Sequence, residues 1–172
     1  MKLGIDPKQI KGFLLKEEGE SLYLAAKNYS KKGPCLEIGS YCGKSALYLG
    51  SAAKENHQLL YSIDHHKGSE EQQPGEEFFD PDLWDETGKN INTLPFFLNT
   101  IDKAGLKDIV IPIVSTSVEA SMVWTKPLSM VFIDGGHSEK AANDDYNAWN
   151  PHIIPGGLLA IHDVFPNPED GG

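Results

Sequence analysis

The stretch that most constrains the fold runs from residue 35 to residue 50 and reads CLEIGSYCGKSALYLG. It begins with a short apolar run typical of a buried strand, which breaks at Gly39. After Gly43, small and apolar residues recur at helical spacing. The pattern predicts a strand, a glycine-rich turn and a helix whose free N–H groups point at the turn. Gly39 would allow both a tight turn and the close approach of a ligand.

Three kinds of nucleotide site use a glycine-rich turn after a strand. The Walker phosphate loop needs four residues between its glycines, and this chain has three between Gly39 and Gly43. The dinucleotide fingerprint needs a second glycine where this chain has Tyr41. The third kind has an acid at the end of each of two successive strands. Glu37 precedes Gly39 by two residues and Asp64 ends the next apolar run, so this third kind fits best.

This turn resembles the first motif of class I methyltransferases that depend on S-adenosylmethionine (SAM), especially O-methyltransferases of the catechol type. Their motif is acid-x-Gly-x-Tyr-x-Gly-x-Ser, and the matching residues here are Glu37, Gly39, Tyr41, Gly43 and Ser45. The later segments IDGGH and IHDVF resemble those of a bacterial group of SAM-dependent methyltransferases. The resemblance covers roughly residues 33–172. It is specific for fold and cofactor, and it does not identify the acceptor.

The rest of the chain alternates strand-like and helix-like segments. Apolar runs predict strands at 35–39, 58–64, 108–114, 128–134 and 157–162. Helical spacing predicts helices at 43–55, 93–104, 117–123 and 138–149. Such alternation favours an α/β fold with a mostly parallel sheet and helices on both faces. The resemblance implies the Rossmann-like fold of class I SAM methyltransferases. The length of 172 residues suggests a single domain.

The two ends of the chain carry separate expectations. Residues 1–32 are predicted to form N-terminal helices, with Asp6-Pro7 as a helix start and a break near Gly19. In the resembled family such helices cover the cofactor and substrate. That family's fold usually adds a helix and two antiparallel strands after the fifth strand. We therefore expect either a natural chain that continues beyond Gly172 or a reduced form of the fold.

A long insertion, residues 65–92, follows the second predicted strand. It exceeds the usual length of a strand-to-helix loop. It is acidic and rich in glycine and proline, but it also contains Phe78, Phe79 and Trp84, which a disordered linker would not need. We interpret it as a lid over the cofactor or substrate. The alternative is a surface excursion packed by its own aromatic side chains.

Composition excludes several classes of function. A formal net charge of −10 argues against a nucleic-acid-binding surface. The sequence contains no run of about 18 apolar residues, so no membrane span is predicted. The N-terminal sequence also lacks a signal-peptide core. Cys35 and Cys42 have no CxxC spacing and are expected to be free thiols in a reducing compartment. These features together predict a cytoplasmic protein.

Polar residues fall where the predicted strands end, and ligands of open α/β sheets lie beyond those ends. The resemblance implies that Asp64 accepts hydrogen bonds from both ribose hydroxyls of SAM. Glu37 is expected to support the turn or the positive methionyl end, and Tyr41 and Ser45 to contact the amino-acid part. Ser117 lies where the family places a polar residue near the adenine, although serine also caps helices.

A second group of strand-end residues implies a metal site. Metal-dependent catechol-type enzymes place an acid after their fourth strand and an Asp-Asn pair after their fifth. The corresponding residues here are Asp134, His162 and Asp163. Oxygen ligands favour Mg²⁺, whereas the imidazole favours Mn²⁺, Fe²⁺ or Zn²⁺. Without a metal, Asp134 would instead be a turn residue or a ligand of the cofactor's amine. His137 stands where the family has its catalytic lysine and is the predicted base.

These features predict an enzyme that moves a methyl group from SAM to the hydroxyl of a small molecule, with the help of a divalent metal, Mg²⁺ or Mn²⁺. One alternative is a hydroxylase-like enzyme that uses the same metal ligands. Another is a SAM-binding module without catalytic activity. No nucleic-acid or membrane partner is expected. The acceptor, the metal and the oligomeric state, for which a homo-oligomer is one option, stay open from sequence.

Overall fold

The predicted alternation forms one parallel sheet in the computed structural model, which describes residues 1–136 and 138–164. The five strands of this sheet are β1 (Cys35–Ile38), β2 (Leu60–Asp64), β5 (Val110–Val114), β6 (Leu128–Ile133) and β7 (Ile153–Ile161). Their order is β5-β2-β1-β6-β7, and every adjacent pair is parallel. Two short antiparallel strands, β3 (Trp84–Asp85) and β4 (Asn90–Ile91), form a separate hairpin.

Helices cover both faces of the sheet. They are α1 (Lys16–Tyr29), α2 (Lys44–Glu55), α3 (Leu94–Lys103), α4 (Ser117–Met122) and α5 (Glu139–Trp149). On one face, Ala26 of α1, Leu47 of α2 and Phe97 of α3 belong to one buried apolar cluster. On the other face, Ala120 of α4 and Trp149 of α5 belong to a second cluster. The predicted fold class is therefore confirmed.

The central strands are apolar because both of their faces are buried. Every residue of β1 and β6 is buried, including the carboxyl-bearing Glu37. The edge strand β5 carries an exposed proline, Pro112, which has no N–H to offer a further strand. β7 forms the other edge and carries a register shift opposite Leu128 and Met130.

The N-terminal region differs from its prediction. Residues Pro7–Gln9 form a short 3₁₀ turn capped by the side chain of Asp6, and α1 begins only at Lys16. The predicted break near Gly19 is wrong, because the break lies at residues 10–15 and Gly19 is inside α1. A Cβ atom on Gly19 would come within 2.3 Å of the Tyr48 ring. The absence of a side chain at Gly19 therefore lets α1 pack closely on α2.

The insertion at 65–92 has regular structure and packs against the main core. It forms two 3₁₀ turns, Glu70–Gln72 and Pro81–Leu83, and then the β3–β4 hairpin. Leu83 and Ile91 are 3% and 1% exposed and belong to the same apolar cluster as α1 and α2. Burial of two such side chains anchors the far half of the insertion.

Within the described part of the chain, no helix is both long enough and apolar enough to cross a membrane.

Candidate active site

A cavity of about 570 Å³ opens beyond the carboxyl ends of the parallel strands. Its walls come from the turn after β1, the end of β2, the residues after β5 and the residues after β6 and β7. Residues 11–14 and 68–72 also line it. The volume lies in the range of about 300–1,000 Å³ that is usual for small-molecule sites. The sheet thus gathers the predicted strand-end residues around one space.

The glycine turn after β1 owes its sequence to a close approach of two backbones. Gly39 has φ +81°, and a Cβ atom there would lie 1.9 Å from the carbonyl oxygen of Asp134. No side chain fits in that position, whether or not a ligand is bound. Tyr41 has φ +44° and Gly43 has φ +89°, so the turn leaves the right-handed region twice more before α2 begins. Gly39, Tyr41 and Ser45 all line the cavity.

Asp64 at the end of β2 holds this turn in place. Its Oδ2 accepts the backbone N–H of Ser40 at 3.0 Å and of Tyr41 at 2.8 Å, and its Oδ1 accepts that of His66 at 2.7 Å. A carboxylate has about four acceptor positions, so the backbone uses three of them. The carboxylate still lines the cavity and keeps capacity for one further donor, one fewer than the two ribose hydroxyls that were predicted to donate to it. Asp64 therefore has a structural role in addition to the ribose contact predicted for it.

Glu37 lies behind the cavity wall. It is completely buried, and its Oε1 accepts the hydroxyl of Ser62 at 2.6 Å. Its Oε2 has no hydrogen-bond partner among the described residues. Burial raises the pKa of Glu37 to about 8, against the lowering effect of the hydrogen bond from Ser62 and of the nearby Ser45. Glu37 is thus placed to support the turn from beneath.

The wall beyond β5 combines Ser117 with an acid that sequence reasoning missed. Ser117 begins α4, and its Oγ accepts the indole N–H of Trp149 at 2.8 Å. Asp145 of α5 is buried beside it and lines the cavity. Burial raises the pKa of Asp145, and its hydrogen bond with Ser117 opposes that effect. The surrounding sequence NDDYN is polar throughout, so no pattern marks this acid as buried.

Asp134, His162 and Asp163 lie together in the cavity wall. One ligand atom from each lies within 4.8 Å of the others. The Nδ1 of His162 is 3.2 Å from Asp134 Oδ1 and 3.0 Å from Asp163 Oδ2. They meet because β6 and β7 are adjacent and parallel, as the single crossover between them predicts. The carboxylate of Asp134 is the main cause that raises the pKa of His162 to about 9, against the lowering effect of burial.

His137, the predicted base, lies outside the described residues. Its neighbours are described: Gly135, Gly136 and Ser138 all line the cavity. Ser138 also caps α5 by accepting the N–H of Ala141 at 3.2 Å. The segment that carries His137 therefore begins and ends in the cavity wall, and the role of His137 stays a prediction from sequence.

Two segments distant in sequence meet over the cavity. Lys11 Nζ is 2.6 Å from Asp80 Oδ2 and 2.8 Å from Asp82 Oδ2 in the insertion. Phe13 packs edge-on against Phe78, with their ring centroids 5.1 Å apart. Residues 11–14 and 68–72 both line the cavity. Sequence reasoning expected helices at this place, whereas the N-terminal cover is the non-helical segment before α1.

Solved structures of methyltransferases share this fold. The O-methyltransferase TomG from Streptomyces achromogenes, solved in complex with SAM, is 18% identical with a TM-score of 0.62, over 87% of this chain and 56% of that one. An O-methyltransferase from Bacillus cereus, solved with SAH, is 14% identical with a TM-score of 0.63, over 88% and 59%. An rRNA methylase from Streptococcus thermophilus is 11% identical with a TM-score of 0.57, over 89% and 75%. This chain spans less than two thirds of the first two proteins.

A family model described as a methyltransferase domain matches residues 36–164. The match begins inside β1 and ends just after Asp163, so it includes the glycine turn, the end of β2 and all three residues of the candidate metal group. It covers well over half of the 172 residues. The chain therefore belongs to this family of methyltransferase domains.

Proposed function

We propose that the protein transfers a methyl group from SAM to the hydroxyl oxygen of a small molecule, with a divalent metal held by Asp134, His162 and Asp163. One observation carries the proposal. Apart from the buried Glu37, the strand-end residues predicted for the cofactor and those predicted for the metal line the same cavity. A cofactor and a polarised acceptor would thus be brought together in one space.

The cavity's charges suit SAM. Its carboxylates are Asp64, Asp134, Asp144, Asp145 and Asp163, joined by Glu70 and Glu71. Two lysines, Lys11 and Lys44, also line the cavity, so the wall keeps an excess of negative charge. The sulfonium and ammonium groups of SAM are cations, and this excess favours them. It disfavours the phosphates of NAD or ATP, in agreement with the poor match to the Walker and dinucleotide patterns. The SAM and SAH complexes of the fold's neighbours support this choice of cofactor.

The candidate metal group also fits a cation. Both ring nitrogens of His162 are buried, and neither is aligned for a hydrogen bond with a described residue. Carboxylates close together repel unless positive charge lies between them. Two carboxylate oxygens and one imidazole suit Mn²⁺ or Mg²⁺, and the imidazole tilts the set towards Mn²⁺. The metal would lower the pKa of the acceptor's hydroxyl.

SAM supplies a methyl group on a positively charged sulfur. A C–O bond forms as the C–S bond breaks, and the hydroxyl proton must pass to a base, for which His137 is the predicted residue. The other contribution of the protein is to align the methyl group of SAM with the acceptor oxygen. The turn after β1, fixed by Asp64, would hold SAM, and the candidate metal group, fixed by β6 and β7, would hold the acceptor beside it. Correct alignment of reacting groups can supply about 7–11 kcal/mol.

A small acceptor agrees with the cavity better than a nucleic acid does. The roof made by residues 11–14 and by the insertion covers the space, and a net charge of −10 opposes a phosphate backbone. The rRNA methylase among the structural neighbours shares the fold, and fold alone does not fix the acceptor. We therefore propose a small hydroxyl compound, with the insertion acting as a lid.

The testing experiment is methyl transfer from labelled SAM to a panel of catechols, phenols and sugar hydroxyls, with Mn²⁺, Mg²⁺ or EDTA. The proposal expects transfer to at least one acceptor and its loss on chelation. Asp134→Asn should lose transfer, whereas Asp108→Asn, an exposed acid before β5, should keep it. Transfer that survives chelation would contradict the metal, and SAM binding without transfer to any acceptor would favour the binding module.

A further inference from the structure

We propose that Glu18 of α1 is a positioning residue for His162, which it orients so that Nδ1 ligates the divalent cation. This inference rests on the metal site proposed above. It adds the N-terminal helix to that site, although the helix precedes the first residue matched by the family model. The evidence is the different surroundings of the two nitrogens of one imidazole ring.

The two nitrogens of His162 face opposite sides. Nδ1 is 3.2 Å from Asp134 Oδ1 and 3.0 Å from Asp163 Oδ2, on the cavity side. Nε2 is 3.4 Å from Glu18 Oε2, on the side of α1, at ion-pair distance but without the alignment of a hydrogen bond. His162 lines both the main cavity and a small apolar groove between α1 and β7, and Glu18 lines the groove. The ring thus forms the partition between the two spaces.

Chemistry assigns the nitrogens their roles. A neutral imidazole carries one N–H and one lone pair, and a metal takes the lone pair. The ionised carboxylate of Glu18 accepts hydrogen bonds and donates none. With a cation between Nδ1 and the two acids, the Nδ1 lone pair would be taken by the metal and the ring proton would lie on Nε2, where the carboxylate of Glu18 faces it. Partners of this kind commonly fix the tautomer and ring orientation of metal-binding histidines.

Glu18 is itself held in position. Its Oε2 accepts the backbone N–H of Leu15 at 2.7 Å, which forms a cap at the start of α1. The ring of His162 also packs edge-on to Phe132, with centroids 6.3 Å apart. The N-terminal cap of α1, Glu18 and His162 form one connected chain of contacts. A loss of Glu18 should therefore loosen the ring and mix its tautomers while the sheet stays folded.

The experiment is calorimetric titration of Mn²⁺ into four proteins: wild type, Glu18→Ala, Glu18→Gln and Glu20→Ala. Glu20 is a matched control, because it lies on the same helix with 43% of its side chain exposed against 40% for Glu18, and pairs with Lys16 at 3.6 Å. We expect Glu18→Ala to weaken Mn²⁺ binding about 10–100-fold. Glu18→Gln keeps an acceptor oxygen and should recover part of that loss. Glu20→Ala should match wild type.

A spectroscopic readout separates orientation from simple stability. Long-range ¹H–¹⁵N spectra of the Zn²⁺-loaded protein should show His162 with a protonated Nε2 in wild type and a mixed or altered tautomer in Glu18→Ala. If wild type binds Mn²⁺ and Glu18→Ala binds equally well with the same tautomer, the role of Glu18 is wrong and the metal site stands. If wild type binds no divalent ion, the metal site and the role of Glu18 both fail.

Discussion

The buried carboxyl of Glu37 should make the protein less stable as the pH rises through neutrality. Burial raises its pKa from 4.5 to about 8, so the folded protein keeps a proton that the unfolded chain has released. Stability then falls as pH rises between these values, because the folded state binds more protons. The contribution is complete below pH 4.5 and has been lost above about pH 8.

The magnitude follows from the pKa difference. At 1.36 kcal/mol per pKa unit, the full span corresponds to roughly 4–5 kcal/mol, an upper limit that relaxation around the ionised carboxylate will reduce. Glu37→Gln keeps the size of the side chain and an oxygen that can accept the hydroxyl of Ser62, but it does not titrate. Relative to wild type, the free energy of unfolding of Glu37→Gln should rise by at least about 2 kcal/mol between pH 5 and pH 8.5.

The assay is urea unfolding of wild type and Glu37→Gln at half-unit steps from pH 5 to pH 8.5. Glu86→Gln, which changes an exposed acid of the insertion, is the control, and its free energy of unfolding should follow the same pH dependence as that of wild type. The difference in free energy of unfolding between Glu37→Gln and wild type should increase steadily from pH 5 to pH 8.5. Parallel curves for these two proteins would show that Glu37 is already ionised in the fold, which would contradict its burial without a partner for Oε2.

Other parts of the structure make separate predictions. Asp134→Asn should lower Mn²⁺ content at least about tenfold and leave SAM affinity nearly unchanged, and equal metal content would remove Asp134 as a ligand. His137→Ala should keep metal and SAM but lose about 10²–10⁴ in kcat, and an unchanged kcat would exclude it as the base. Lys11→Met should speed hydrogen exchange in residues 11–14 and 68–82. Unchanged exchange would show that the ion pairs of Lys11 do not hold these two segments together over the cavity. Gly19→Ala should destabilise by about 1–3 kcal/mol in urea, through overpacking on Tyr48, and a more stable protein would refute this.

Sequence patterns predicted the sheet well because strand and helix periods are local properties. The run from Cys35 to Ile38 reads as a buried strand from four residues, and its position in the middle of the sheet explains that composition. The meeting of Asp134 with His162 was also predictable, since one crossover makes β6 and β7 neighbours. Local patterns thus locate the ends of strands, and those ends locate the cavity.

Contacts between distant segments could not be predicted in this way. Lys11 and Asp80 are 69 residues apart, and nothing in either local sequence indicates that they pair. Asp145 is buried where α5 lies against the turn at Gly135. The tight turn predicted at Gly39 agrees with its φ of +81°, but the carbonyl oxygen of Asp134, which also excludes a Cβ atom there, comes from a distant part of the sequence and could not be predicted. These features depend on packing between elements, which periodicity does not record.

The central claim is that the cavity at the carboxyl ends of the strands binds SAM. Calorimetric titration of SAM and of SAH into wild type, Asp64→Asn and Asp108→Asn tests it most directly. Asp108 is an exposed acid before β5, lies outside the cavity wall and serves as the control. We expect saturable one-to-one binding by wild type and Asp108→Asn. Loss of a hydrogen bond to the charged carboxylate in Asp64→Asn should cost about 1.5–3 kcal/mol, which is roughly 10–150-fold in affinity. Failure of wild type to bind either compound, or equal affinity in all three proteins, would contradict the account.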